Sequence, residues 1–350
     1  MPFSSLYNVK ITAVSSVVPS NKCCITDDKK LYGGDIKKIN RLINSSGFYN
    51  RRVCNNNITA SDLCMEAANE LFKKGICKKS EIDALLFISY TPDYLMPATS
   101  YVLHSRLGLS TDCICMDIPQ ACSGYVIGLF QSAMLINSGC KKVLLLVGDT
   151  FSKFTDMFKN HKAPIFGDAG TATIIEYDTS ASPMFFNIRS DGKEHDSLIC
   201  RNGGFRNPPR IDMFYDDGSF KYDANMEGAR IFQFAINKIS DSVKELLEYN
   251  NYKIKDIDYF IFHQANKFII NTISQQLDIN NEKVPMDILS EYGNQCGASI
   301  PCCMCGSISK VLFNKEANLL LCGFGVGLSW ASVIIKSKGI YCSEILDSEY

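Results

Sequence analysis

Residues 70–89 read ELFKKGICKKSEIDALLFIS, and residues 245–264 read ELLEYNNYKIKDIDYFIFHQ. Each string passes through the same three phases: the tail of an amphipathic helix, a short polar loop, and a buried strand. The strings lie 175 positions apart, and the same shift carries LLLVG at 144–148 onto LLLCG at 319–323. A single match between apolar strands has little weight. Two at one shift, half a chain length apart, predict two halves sharing one fold. In each half, helical stretches alternate with apolar strands such as IDALLFIS, KVLLLVGD and DYFIFH. That alternation predicts an α/β architecture whose sheets are largely buried. DTSASP at 178–183 reads as the junction loop, so the halves are expected over 1–177 and 178–350.

Composition narrows the function class. The 350 residues carry 36 basic and 37 acidic side chains, with 46% hydrophobic and 21% charged residues. Such a balance creates no field that draws the chain to nucleic acid or an anionic membrane. The basic run KKGICKK at 73–79 reads as a solvated surface. The opening MPFSSLYNVKIT lacks the basic start and apolar core of an export signal, and apolar runs such as VLLLVG at 143–148 are too short to span a bilayer. The expectation is a cytoplasmic globular protein whose sixteen cysteines stay reduced.

The sharpest chemical signal is CMDIPQACSGYVIGLFQSAMLINSG at 115–139. CICMDI at 113–118 reads as a short strand and PQ as the loop after it. From Cys122 onward, Val126, Leu129, Ala133 and Ile136 recur at helical spacing, and Gly139 stops the helix. Cys122 then stands at a helix N-terminus, where unpaired N–H groups and the helix dipole favour a thiolate. A thiolate is the competent nucleophile toward a thioester. Taken locally, the same position also suits one more small buried residue.

Among four histidines, His263 alone ends an apolar strand (DYFIFH) and opens a helical stretch (HQANKFIINTI). Strand ends of α/β folds are where catalytic groups gather, although a hydrogen-bonded structural histidine fits as well. His104, His161 and His195 read as surface or structural residues. Asn294 lies in EYGNQCGAS at 291–299, a glycine-punctuated loop that equally suits a turn residue. GFGVG at 323–327 superficially matches a dinucleotide loop, but LSWASVII after it alternates as a strand rather than a helix. A turn presenting backbone N–H groups to a substrate fits better. PCCMC at 301–305 holds one C-x-x-C spacing, Cys302 to Cys305, too little for a zinc site and compatible with helical packing. No cofactor or metal is expected.

QACSGY, FHQAN, YGNQCGAS and GFGVGLSW, in this order and spacing, resemble the β-ketoacyl-acyl-carrier-protein synthase III family, and FGDAGTA at 166–172 extends the resemblance. The resemblance implies a duplicated thiolase-like αβαβα fold acting as a homodimer. It implies that Cys122 is acylated by an acyl-CoA or acyl-carrier protein, and that His263 and Asn294 assist decarboxylation of a malonyl-carrier protein. It further implies an oxyanion hole from the backbone N–H groups of Cys122 and Val326. Phe166, Phe232 and Phe324 would line the acyl pocket, and Met96, in YLMPA, would reach the pocket of the partner subunit. Neutral donors at 263 and 294 favour decarboxylative condensation, since they stabilise a developing enolate without repelling it. Acyl transfer to an oxygen or nitrogen acceptor, and a non-catalytic binding dimer, remain as alternatives.

One stretch departs from the resemblance. Many synthase III enzymes clamp the adenine of CoA between a tryptophan and an arginine, and INRLINSSGFYNRR at 39–52 puts Arg41 and Ser45 at those places when aligned on Gly47. The single tryptophan, Trp330, already belongs to GLSW. Phe268 stands where the family usually has arginine, with Lys267 beside it. The primer is therefore expected on a carrier protein or as an unusual acyl-CoA, unless Arg41, Tyr49 or Arg51 rebuilds an adenine site.

Overall fold

In the computed structural model, residues 3–32, 34–154 and 165–350 are described. The duplicated strings fold alike. Helix Ala60–Lys73, a 3-10 turn at Lys79–Glu81 and strand Ala84–Ile88 form the first unit. Helix Gly228–Tyr249, a 3-10 turn at Ile254–Asp256 and strand Tyr259–Phe262 form the second. Each strand is entered through an aspartate that clamps its neighbour. Asp83 donates its N–H to Lys142 O and accepts from Lys142 N–H, both at 2.9 Å. Asp258 does the same with Asn318, both at 2.8 Å.

In chain order the strands are β1 (Phe3–Leu6), β2 (Val9–Val18), β3 (Lys22–Cys24), β4 (Asn50–Arg52) and β5 (Ala84–Ile88). They continue with β6 (Ile114–Ile118), β7 (Lys142–Asp149), β8 (Ala169–Tyr177), β9 (Met184–Ser190) and β10 (Leu198–Cys200). The last are β11 (Ala224–Met226), β12 (Tyr259–Phe262), β13 (Ala317–Gly325), β14 (Ser329–Ser337) and β15 (Tyr341–Asp347). One mixed sheet has the order β15-β2-β8-β7-β5-β6, the other β1-β9-β14-β13-β12, and β3–β4 and β10–β11 form small ribbons. The run β2-β8-β7-β5, paired antiparallel, antiparallel and parallel, is repeated by β9-β14-β13-β12. The chain ends cross over: β1 joins the sheet built otherwise after residue 183, and β15 the sheet built otherwise before residue 178.

One expectation needs correction. The apolar strings match at a shift of 175, but the second strand of each half pairs one residue further on. Leu86 faces Leu145, whereas Ile261 faces Leu321, a shift of 176. Side chains alternate across a strand, so that one residue decides which face a leucine presents. Leu145 and Leu321 both enter the central core, while Leu144 points to the outer layer. A run of three leucines holds no register information of its own.

The layers follow from these faces. Helices Ala60–Lys73 and Thr99–Leu107 cover the outside of the six-stranded sheet. Helices Gly228–Tyr249 and Lys267–Gln276 cover the outside of the five-stranded sheet. Helices Gly124–Asn137 and Ser299–Gly306 lie between the two sheets. This αβαβα arrangement is the thiolase-like fold. The helix predicted from one stripe, Gly124–Asn137, is buried on several sides, with Tyr125, Gly128 and Ser132 enclosed as well as Val126, Leu129, Ala133 and Ile136. A Cβ at Gly128 would meet Leu145 Cδ1 at 2.6 Å, so glycine sets how closely this helix approaches β7.

Candidate active site

The central helix delivers Cys122 to the place where the two halves meet. Cys122 precedes the first helical residue by two positions, with Gly124 N–H bonded to Ala121 O at 2.7 Å. The end of β13 passes over it so closely that a Cβ on Gly325 would lie 2.9 Å from the sulfur. Only a residue without a side chain leaves that sulfur open to attack a carbonyl. Although Cys122 is buried, its thiol is held well below the ordinary thiol range. The largest cause is the Cys296 thiol, followed, against the burial penalty, by the neighbouring His263 ring and by the Val326 N–H. Donors converging on a buried sulfur favour the anion.

His263 follows β12, anchored by its N–H to Cys322 O at 2.8 Å. Its Nδ1 lies 2.8 Å from Ser299 Oγ, at the start of the other central helix, and its ring stands edge-on to Phe324 at 5.6 Å. Asn294 lies in the loop before that helix. Its backbone bonds to Ile165 O and Gly167 N–H, at 2.8 and 3.0 Å, and its Oδ1 accepts the Cys296 N–H at 2.9 Å. Both side chains are buried. With His263 Nδ1 beside Ser299, its Nε2 is the ring atom left to face Cys122, and with Asn294 Oδ1 taken its Nδ2 is left for other partners.

Asp149, at the end of β7, shares this environment. Its Oδ1 accepts from Tyr90 N–H at 2.8 Å and Ser89 Oγ at 3.0 Å, while Oδ2 is buried without a hydrogen-bond partner. Burial, reinforced by the Cys122 charge, pushes its pKa up to about 8. A protonated Asp149 spares the Cys122 thiolate a second buried negative charge. The folded-state value lies above the unfolded one, so this contribution to stability is complete below about pH 4 and is lost as pH rises through about 8. Asp149→Asn should flatten the fall in stability between those limits, which runs at up to about 1.4 kcal/mol per pH unit. Equal slopes in wild type and variant, from urea midpoints across pH, would remove the assignment.

The comparisons with known proteins agree with one another. The profile of 3-oxoacyl-[acyl-carrier-protein] synthase III matches residues 116–192, and that of its C-terminal part matches residues 247–337. A Campylobacter jejuni protein named provisionally as a 3-oxoacyl-[acyl-carrier-protein] synthase 3 is 38% identical over 345 residues, 96% of each chain. The β-ketoacyl-[acyl-carrier-protein] synthase III of Streptococcus mutans is 32% identical over 336 residues, 93% of this chain and 98% of that one. The chain belongs to the synthase III family. Among solved structures, the 3-oxoacyl-(acyl-carrier protein) synthase of Burkholderia xenovorans superposes with a TM-score of 0.92 at 32% identity, covering 99% of both chains. The protein is thus a synthase III-type condensing enzyme, an acyltransferase of fatty acid biosynthesis.

Within this synthase III chain the other predicted residues separate. Phe166 packs in one buried cluster with Cys122 and Cys296. Phe324 packs against His263 and in the outer core of its sheet. Phe232 is outside the Cys122 cluster and stacks on Phe268 at 5.3 Å. Met96 is 81% exposed. Half-buried His104 bonds Ser110 O and exposed His195 bonds Gly192 O, while His161 lies outside the described residues. Cys302 and Cys305 are buried in the central helix. The site also contains residues that the sequence argument passed over: Cys296, Ser299 and Asp149. The first two lie in the quoted EYGNQCGAS string, but nothing in that string shows that the thiol faces Cys122. Asp149 ends KVLLLVGD, a strand end like that of His263, which is the one signal that pointed to it.

Proposed function

We propose that this condensing enzyme joins an acyl primer to a malonyl thioester through an acyl-Cys122 intermediate. Cys122 attacks the primer thioester, and the N–H groups of Cys122 and Val326 hold the tetrahedral oxyanion while the carrier thiol leaves. The malonyl thioester then loses CO2. His263 and Asn294 donate to the enolate oxygen, and the carbanion attacks acyl-Cys122 to release the β-ketoacyl product. The observation that carries this reading is the way the two donors are prepared. Asn294 Oδ1 is taken by the Cys296 N–H, leaving the Nδ2 hydrogens. Ser299 Oγ accepts the Gln264 N–H at 3.3 Å and lies 2.8 Å from His263 Nδ1; in the tautomer this reading uses, the hydroxyl donates to Nδ1 and the ring hydrogen is on Nε2. Enzyme pre-acylated on Cys122 and mixed with malonyl-carrier protein should release one CO2 for each β-ketoacyl product. Transfer of the acyl group to an oxygen or nitrogen acceptor without CO2 would overturn the reading.

The carrier of the primer is part of the proposal. Arg41 is exposed, its Nε bonded to Lys37 O, and Ser45 bonds Leu42 O. Arg51, one candidate for a rebuilt adenine site, is buried and paired with Asp28 at 2.7 Å. Losing a cation–π clamp forfeits roughly 0.5–2 kcal/mol of CoA affinity. The reading is that carrier protein, or an unusual acyl-CoA, delivers the primer. Comparing kcat/KM for one acyl group on CoA and on carrier protein tests it, and a clear preference for acetyl-CoA opposes it.

The proposal extends to a cytoplasmic C2 homodimer of chains divided near 177 and 178, with Phe166, Phe232 and Phe324 around the acyl chain. Among the described residues, no helix is long and apolar enough to cross a membrane. Strand β6 is a sheet edge exposing Ile114 and Met116. Its Asp117 caps helix Thr99–Leu107 through the N–H groups of Thr99 and Ser100, both at 2.7 Å, which sets the exposed Tyr94, Leu95 and Met96 nearby. An open edge flanked by apolar side chains favours pairing with a second copy. Sedimentation should give a dimer at micromolar concentration, and Met96→Trp should shorten the accepted acyl chain without dissociating it. A monomer, or an unchanged chain-length profile, would count against this arrangement.

A further inference from the structure

Cys296 touches the nucleophile, yet the condensation described above gives it no bond to make or break. It sits in a left-handed turn with φ 51°, its N–H tied to Asn294 Oδ1, and it is almost completely buried. It packs with Ala121, Cys122 and Phe166 in one small apolar cluster. The two backbones run so close that a Cβ on Gly297, the next residue, would fall 2.7 Å from Ala121 O. The Cys122 and Cys296 side chains share this cluster, and the Cys296 thiol is the largest influence holding the Cys122 thiol low. A thiolate with a second thiol in contact is the arrangement in which oxidation ends in a disulfide rather than in higher oxides.

We propose that Cys122 and Cys296 form a reversible disulfide when the enzyme meets a hydroperoxide, closing the acylation site while protecting its nucleophile. The proposal rests on Cys122 being the thiolate nucleophile of the reaction above. The Cys122 thiolate attacks the terminal peroxide oxygen. The O–O bond breaks, an S–O bond forms, and the alcohol or water leaves with a proton. Cys296 sulfur then attacks Cys122 sulfur, its thiol proton goes to the departing oxygen, and water leaves as the S–S bond forms. Two electrons from the thiol pair reduce the peroxide, and a dithiol reductant returns them. The sulfurs must close to about 2.05 Å, and the close approach of residue 297 to Ala121 brings the two segments together for it.

A second pair of neighbouring thiols, Cys305 and Cys342, marks the contrast. Cys305 is enclosed in the central core against Ser16 Oγ at 3.3 Å and Val14 O at 3.7 Å. Nothing in the reaction requires a reagent to reach it. Cys122 has to be reached by every primer, so a small peroxide can follow the same route.

The experiment treats the full-length enzyme with hydrogen peroxide, blocks remaining thiols under denaturing conditions, and measures intact mass and a non-reducing peptide map. Wild type should carry two fewer blocking groups than the untreated enzyme, with the Cys122 and Cys296 peptides joined. Dithiothreitol should then restore most of its capacity to be acylated. In Cys296→Ser, Cys122 should instead gain two or three oxygens, and dithiothreitol should restore less than about a tenth. Irreversible oxidation of wild type to the same products would overturn the proposal. So would a Cys122 disulfide with any other cysteine, or an unmodified Cys122 when exposed Cys200 is oxidised. Acylation of the untreated enzyme is read separately. A missing disulfide therefore leaves the condensation mechanism standing, whereas missing acylation removes the mechanism first.

Discussion

Cys122→Ala should abolish acylation and condensation together, with no acyl adduct by intact mass and product formation at the uncatalysed background. The effect is total because the reaction proposed here passes through a covalent bond to that sulfur. The fold should survive. Alanine fits the space, and it removes a thiolate whose burial opposes its own ionisation. Peptide mapping of wild type after brief exposure to a short acyl thioester should place the label on Cys122 alone. Burial pushes the thiols of Cys302 and Cys303 up, that of Cys303 to about 12. Cys305 is the informative competitor, since its hydrogen bonds hold its thiol below the ordinary range although it is enclosed in the central core. Of these three competitors none has to be reached by a primer, whereas the reaction proposed here requires access to Cys122, whose thiol is held low. Equal labelling of Cys302 or Cys305 would sink the assignment.

His263→Ala and Asn294→Ala should separate the two half-reactions. Each removes a donor aimed at the malonyl enolate, and removal of one such donor typically lowers the rate by two to three decades, roughly 2.7–4 kcal/mol. Decarboxylation of malonyl-carrier protein should fall by that factor in either variant. Acylation of Cys122 should stay measurable in both. Its loss should be larger in His263→Ala, because His263 also helps to hold the thiolate, whereas the Cys296 thiol remains in place as the larger influence. Asn294→Ala should leave the Cys122 pKa less disturbed, since its Oδ1 reaches the nucleophile only through the Cys296 backbone. The roles fail if both variants acylate as poorly as Cys122→Ala. A thiol-alkylation rate measured across pH distinguishes a lost thiolate from a lost enolate donor.

Much of this was legible in the chain itself. Repeated helix–loop–strand strings declared two similar halves, because each half must bury its own strand and place its own helix. The position of Cys122 before a helix and of His263 after a strand followed from periodicity, which records what each segment buries. The resemblance of the motifs to the synthase III family named the chemistry, and the family membership stands. Tertiary structure decided the rest. The leucine strings matched at 175, yet the sheets pair at 176, because identical side chains carry no register and hydrogen bonding with the central core on one side does. The apparently one-sided helix Gly124–Asn137 is enclosed on several sides because it lies between two sheets, a layer that no local pattern announces. Chain ends exchange sheets, with β1 and β15 each completing the sheet of the other half. Cys296 drew no reading of its own within the glycine-punctuated loop, and only the approach of residues 121–122 to 296–297 sets its thiol against the nucleophile. Sequence records what each segment must bury, while contacts across 174 residues of chain depend on how the two halves dock.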